Sequence, residues 1–179
     1  MIILLPIVVI ILAHRFIFSI IYNLFLSNGT AIYPKPTYLN TVDKVIGYFF
    51  NTQRYLQIDG ITEIEQLHML DVKKLIITAF VIFIITLIIV ILMRRFITKG
   101  FLKGTATFLL IFSGILIILS FTSFDTLFTY FHKILFRNNF WLLDENSILI
   151  RLFPESVFTF LGIFWFGFIV IASLIMLIL

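Results

Sequence analysis

An unbroken apolar run of nineteen residues, 75–93, constrains this chain more than any other feature. Bilayer hydrocarbon about 30 Å thick is crossed by about 20 residues of helix, and backbone in lipid must satisfy its own hydrogen bonds, so the run reads as a membrane-spanning helix. Three further stretches have the same character, at about 2–25, 105–124 and 156–179. The first is not read as a cleaved leader: it lacks a basic start and a small-residue cleavage pattern, and it stays apolar past His14 and Arg15. With 61% of residues hydrophobic and 23 phenylalanines, a soluble domain could not hide this side-chain population. The predicted architecture is an all-α membrane protein with four transmembrane helices, a single integral membrane domain over 1–179.

Orientation follows from the connections. The loop 94–104 carries Arg94, Arg95, Lys99 and Lys103 and no acidic residue, which predicts a cytoplasmic loop. Both termini are then cytoplasmic, and segments 27–74 and 125–155 are extracytoplasmic. All nine Asp and Glu residues fall on that outer side, with His68 and His132. Because a short loop joins them, the second and third spans are expected to be antiparallel neighbours, which brings the two imidazoles to a similar height. The absence of cysteine excludes disulfides, thiolate nucleophiles and thiolate metal sites. Nothing in the charge pattern points to nucleic acid.

Just before the second span, ITEIEQLHMLDVKKL (61–75) hands polar chemistry to the membrane. Thr62 and Glu65 have capping-box spacing, so a helix should begin there and run into the span. On that helix Glu65, His68 and Asp71 recur at i, i+3 and i+6, which predicts an imidazole between two carboxylates. Upstream, SNGT and YPKP are turn formers. Val45, Ile46, Phe49 and Phe50 then alternate with Asp43, Lys44, Asn51 and Gln53 as in an interfacial helix, and Asp59-Gly60 reads as a turn. The second outer segment holds two dense clusters, YFHKILFRNNFWLLD and ILIRLFPES, whose aromatic and basic residues serve as interface anchors.

The plain account of His68 and His132 is two interface histidines with no shared task. Against it stand Glu65, Asp71, Asp125, Asp144 and Glu155, carboxylates able to hold and tune an imidazole. Glu65, His68 and His132 could also form a metal set, although no tight ligand signature is present. Ser147 and Ser156 lie in no nucleophile-elbow pattern. His14 and Arg15 inside the first span are a functional hypothesis by default. The simpler reading is a pairing of Arg15 with Asp125, or a register nearer the outer interface. The aromatic-rich last span reads as a packing and lipid-facing surface.

EIEQLHMLDVK at 63–73, FHKILFRNNFWLLD at 131–144 and LIRLFPESVF at 149–158, in this order on a four-span layout, resemble the lipoprotein intramolecular transacylases, small membrane proteins of Gram-positive bacteria. No residue is carried over from 27–60. The resemblance implies an acyltransferase at the extracytoplasmic face of the bacterial plasma membrane. It would move the sn-2 acyl chain of a lipoprotein's diacylglyceryl group to the α-amine of its own N-terminal cysteine, giving a lyso-form lipoprotein. The partners implied are the diacylglyceryl-modified lipoprotein and membrane lipids, with no cofactor and no metal. An α-amine with a pKa of about 7.7–8.0 needs a base before it can attack an ester, which suits His68 and His132 as a catalytic acid and base without an acyl-enzyme. Asp71 would orient His68, and Glu65, Arg137, Asn139, Trp141, Asp144 and Glu155 would support the site or shape the head-group pocket. The alternatives are a non-catalytic membrane scaffold or transporter subunit, and an intramembrane lipid or peptide hydrolase. Spans two to four carry scarcely any ionisable residue, which disfavours a transporter.

Overall fold

The computed structural model describes residues 13–27 and 33–178, and every regular element among them is helical. Helix α1 (His14–Ile21) continues into a π-helical turn at Tyr22–Leu26. Helix α2 covers Lys35–Phe50, and α3 covers Glu63–Met93 and closes in a 3-10 turn at Arg94–Phe96. Then come α4 (Lys99–Thr122), α5 (Phe124–Leu135), α6 (Ile148–Leu152) and α7 (Glu155–Ile178).

Three helices are long and apolar enough to cross a membrane: α3 with its 3-10 extension, α4 and α7. They correspond to the second, third and fourth expected spans, and membrane integration follows from them. Of the first expected span, residues 2–12 lie outside the described residues; the rest is the shorter apolar helix His14–Leu26. This helix does not run against α7 as an up-and-down arrangement would have it. Phe18 meets the Phe153 ring at 6.0 Å and Phe25 meets Phe160 at 6.0 Å, so both chains advance seven residues in the same sense.

The expected pairing of the second and third spans is also replaced. The most extensive helix–helix contact joins α4 to α7, whereas no residue in the most apolar stretch of α3 is fully buried inside the chain. Side-chain size accounts for this. Ala106, Ser113 and Ser120 on α4 and Ser173 on α7 are buried at the contact, with Gly162 close to Ser120, and such small residues let helix backbones approach in lipid. The span of α3 is mostly Ile, Leu, Val and Phe; its small residues are Thr78, Ala79 and Thr86, and none of them is buried against another helix.

The core sits at the end of the long helices remote from the loop 94–104. Ile17, Phe18, Ile21 and Leu26 pack with Tyr38, Val42, Val45, Tyr48 and Phe49 of α2, and these close on Met69 of α3, Leu149 and Leu152 of α6 and Val157 of α7. Helix α2 therefore turns the Tyr38, Val42, Val45 and Phe49 side inward. Phe50, expected on the apolar face, is half exposed and meets only the edge of Phe80 at 6.2 Å. Arg15 and His14 do not pair with Asp125; both engage Asp43 on α2, His14 Nε2 lying 2.9 Å from its Oδ1. Because Asp43 comes from a helix folded back on α1, its role could not be read from spacing along the chain.

Lys73 pins α3 against this layer, and the turn at Gly60 leads into the helix. Lys73 is buried and donates to the carbonyls of Asn51 and Gln53, each at 2.8 Å, with the Tyr48 ring 4.3 Å from its ammonium. Gly60, in the expected turn, has φ +79°, and a Cβ there would lie 2.8 Å from Ile148 Cδ1. Gly60→Ala places a side chain on a left-handed backbone and pushes the Ile148 methyl aside, so it should lower stability by about 1–2 kcal/mol. Thermal unfolding in detergent should register a lower midpoint, with catalytic side chains untouched.

Candidate active site

The capping box at the start of α3 forms as its spacing predicts: Thr62 accepts from Glu65 N–H at 3.3 Å, and the Glu65 carboxylate accepts from Thr62 N–H at 2.7 Å. This commits Glu65. Its other oxygen accepts from the Leu149 N–H at 3.0 Å, capping the short α6, and the residue is 1% exposed. Burial would raise its pKa, but the hydrogen bonds from Leu149 and Thr62 outweigh burial and hold it below the carboxylate norm. Glu65 thus ties α3 to the second outer segment and does not flank His68. The Glu65, His68 and His132 set is not assembled, and no cluster of three His, Asp or Glu that could hold a metal occurs among the described residues.

His68 and His132 do come together. Helix α5 breaks from α4 at Ser123 and lies over the N-terminal ends of α3 and α7, with His132 6.1 Å from His68 and Phe128 5.8 Å from Phe158. This bend, rather than packing of α3 on α4, places the two imidazoles 6.1 Å apart at an interplanar angle of 37°. Phe136 stands 5.4 Å from His68 and 5.6 Å from His132. His132 is buried among rings, 4.0 Å from Phe128 and stacked on Trp141 at 5.0 Å.

The two imidazoles are set up differently. His132 Nδ1 lies 2.8 Å from the Phe128 carbonyl oxygen, which can only accept. The proton of the neutral ring is therefore on Nδ1, and Nε2 keeps a lone pair. Burial lowers the His132 pKa, opposed by that hydrogen bond. His68 is pushed down to about 4, first by burial, then by the proximity of His132, with the Asp71 charge pulling the other way.

Asp71 sits on α3 one turn beyond His68. Burial would raise its pKa, but hydrogen bonds from Asn138 Nδ2 at 2.8 Å and Lys74 Nζ at 3.0 Å keep it ionised and below the carboxylate norm. Asn138 was missed in the sequence, where Arg137 and Asn139 beside it were singled out; its partner lies 67 positions away, and two adjacent asparagines carry no local mark of which one turns inward. Asn138, Asn139, Arg137 and Trp141, with Lys133 and Phe136, line an open cleft of about 590 Å³. Its Phe136 and Trp141 wall is also the cover of His132. Asp144 is exposed and accepts from Asn146 N–H at 2.8 Å, closing its own turn, and Glu155 is exposed in the first turn of α7. Neither is drawn to the histidine pair.

Both rings are neutral near neutrality, which has a measurable consequence. The unfolded chain takes up the His68 proton below about pH 6.5, whereas the folded chain resists until about pH 4, so stability falls as pH drops through that window. His132 adds in the same sense. Unfolding midpoints in detergent should decrease between about pH 7 and about pH 5, above the carboxylate range, and His68→Gln should flatten part of that slope.

Comparison with known proteins now bears on this arrangement. The family described as Lipoprotein intramolecular transacylase Lit matches residues 1–158. Among solved structures, the chain is similar to the in meso structure of the membrane integral lipoprotein intramolecular transacylase Lit from Bacillus cereus. The TM-score is 0.85 at 20% identity, over 98% of this chain and 85% of that one. No curated sequence is significantly similar.

Proposed function

The chain belongs to the lipoprotein intramolecular transacylase family, Lit, and from that premise we propose that its histidine pair moves the sn-2 acyl chain of a diacylglyceryl-lipoprotein to the α-amine of the same molecule's N-terminal cysteine. The observation that carries this reading is the juxtaposition of two imidazoles, one with Nδ1–H held by a backbone carbonyl so that Nε2 keeps its lone pair, at the end of a long apolar helix remote from the loop 94–104.

Proton accounting explains why two imidazoles suit the reaction. An ammonium that becomes an amide loses two protons, while the ester C–O bond breaks, the C–N bond forms and the glycerol oxygen gains one. The second proton goes to water. We assign the nitrogen-to-glycerol transfer to His132 Nε2. Its imidazolium is disfavoured by burial, so the proton is passed on readily. His68 stands beside Asp71, whose charge opposes the push of burial and steadies a transient imidazolium, and it takes the first proton toward water. Because donor ester and acceptor amine belong to one molecule, their proximity can supply about 7–11 kcal/mol without an acyl-enzyme. Exchange of an ester for an amide is downhill and requires no nucleotide.

Arg137, Asn139 and Trp141 form the head-group side of the site through the cleft they line. The predicted outer location of 27–74 and 125–155, from the positive loop 94–104, puts the reaction at the extracytoplasmic face.

Intramolecular transfer leaves the intact mass of the lipopeptide unchanged, so the test is tandem mass spectrometry of a diacylglyceryl peptide incubated with the purified protein. Transacylation gives an N-acyl cysteine fragment at unchanged intact mass. A hydrolase would release a fatty acid or peptide and lower the mass, and a scaffold would leave the fragment pattern untouched; either result overturns the proposal.

A further inference from the structure

The Asn138 carboxamide is fixed by two contacts that independently determine its orientation. The Phe140 backbone N–H can only donate, so the atom it meets at 3.1 Å is the Asn138 carbonyl oxygen. The ionised Asp71 can only accept, so the atom 2.8 Å from its Oδ2 is Nδ2. An amide nitrogen carries two hydrogens. One is spent on Asp71, and the other has no acceptor among the described residues, although Asn138 lines the open cleft. The anchor on Asp71 comes from α3, one turn from His68, and the segment that carries Asn138 begins two residues after Phe136, whose ring touches both imidazoles.

From this geometry we propose that Asn138 is a catalytic residue, its second Nδ2–H donating to the ester carbonyl oxygen as that oxygen becomes the oxyanion of the tetrahedral intermediate. The assignment rests on the transacylase reading and adds a role that the two histidines leave open. His132 in its neutral form has no N–H to spare, because Nδ1–H is bound to Phe128. A carboxamide held at both ends is preorganised, which is what stabilisation of a developing charge requires. Because Asp71 and the Phe140 N–H hold the amide at both ends, the donor does not reorganise during the reaction.

Asn138→Ala should lower kcat by about 10²–10³-fold with little change in KM. The same loss would follow if Asn138 acted only by holding the Asp71 charge beside His68, so the deciding comparison is Asn138→Ala made in an Asp71→Asn background, which keeps an acceptor oxygen for Asn138 Nδ2 and removes that charge. An oxyanion donor still costs about 10²-fold there, whereas a residue acting through Asp71 costs less than about threefold, which would overturn the proposal. A phosphonate analogue of the ester, which mimics the oxyanion, gives a second readout by titration of each folded variant. Its affinity should fall by about 10²-fold in Asn138→Ala while affinity for the ground-state lipopeptide is kept; equal losses for both ligands would overturn the assignment. An inactive wild-type chain would overturn the transacylase reading and this proposal together, whereas an active wild type with either negative result overturns this proposal alone.

Discussion

His132→Gln is expected to abolish conversion of a diacylglyceryl peptide to its N-acyl isomer, with kcat reduced by about 10³–10⁴-fold and KM little changed. The expectation follows from how the ring is held. The Phe128 carbonyl takes Nδ1–H at 2.8 Å, the Phe128 and Trp141 rings pack against the imidazole, and a single lone pair on Nε2 remains. Glutamine keeps the volume and one polar end but cannot accept and release a proton near neutrality. Smaller replacements complicate the comparison, since removing a ring that contacts Phe128, Phe131, Phe136 and Trp141 unpacks the aromatic cluster as well. In His132→Ala, added imidazole should restore part of the rate if the missing function is proton transfer, and none if it is packing.

His68→Gln is expected to cost less, about 10²-fold in kcat, with a different dependence on pH. A base pushed down to about 4 is a weak acceptor for an amine proton, and at neutral pH roughly a tenth of the α-amine is already unprotonated. The variant should therefore recover activity as pH rises toward 8 and the amine deprotonates in solution, whereas His132→Gln should not. Equal and pH-independent losses in the two variants would mean that the histidines do not divide the work in this way. Asp71→Asn should move His68 in the direction opposite to that of the carboxylate's pull and deepen the neutral-pH deficit.

What was legible in the sequence follows the range of the physical signal. The α3 cap, the turn at Gly60 and three long apolar helices are written in local spacing, and they form where that spacing places them. Helix pairing was misread because loop length alone was used. The small residues Ala106, Ser113, Ser120, Gly162 and Ser173 were visible in the chain and mark α4 and α7 as the pair that can approach closely. The histidines meet for a reason different from the one expected, through the bend at Ser123 that lays α5 over α3. Glu65 was legible as a cap, and the same cap geometry should have excluded it as a partner for His68, because a carboxylate committed to a helix N-terminus is not free for an imidazole. Asn138 and Asp43 could not be found locally: each owes its role to a partner 28 or more positions away, on another helix.

A crossover experiment tests the central claim most directly. An equal mixture is made of one lipopeptide with a heavy acyl chain on a light peptide and another with a light acyl chain on a heavy peptide, and the N-acyl products are read by mass after reaction with the purified protein. Transfer within each molecule predicts only the two parental combinations, heavy with light and light with heavy. Appearance of heavy-on-heavy and light-on-light products in comparable amounts would mean that the acyl chain passes through the enzyme or between substrates, and would contradict the account.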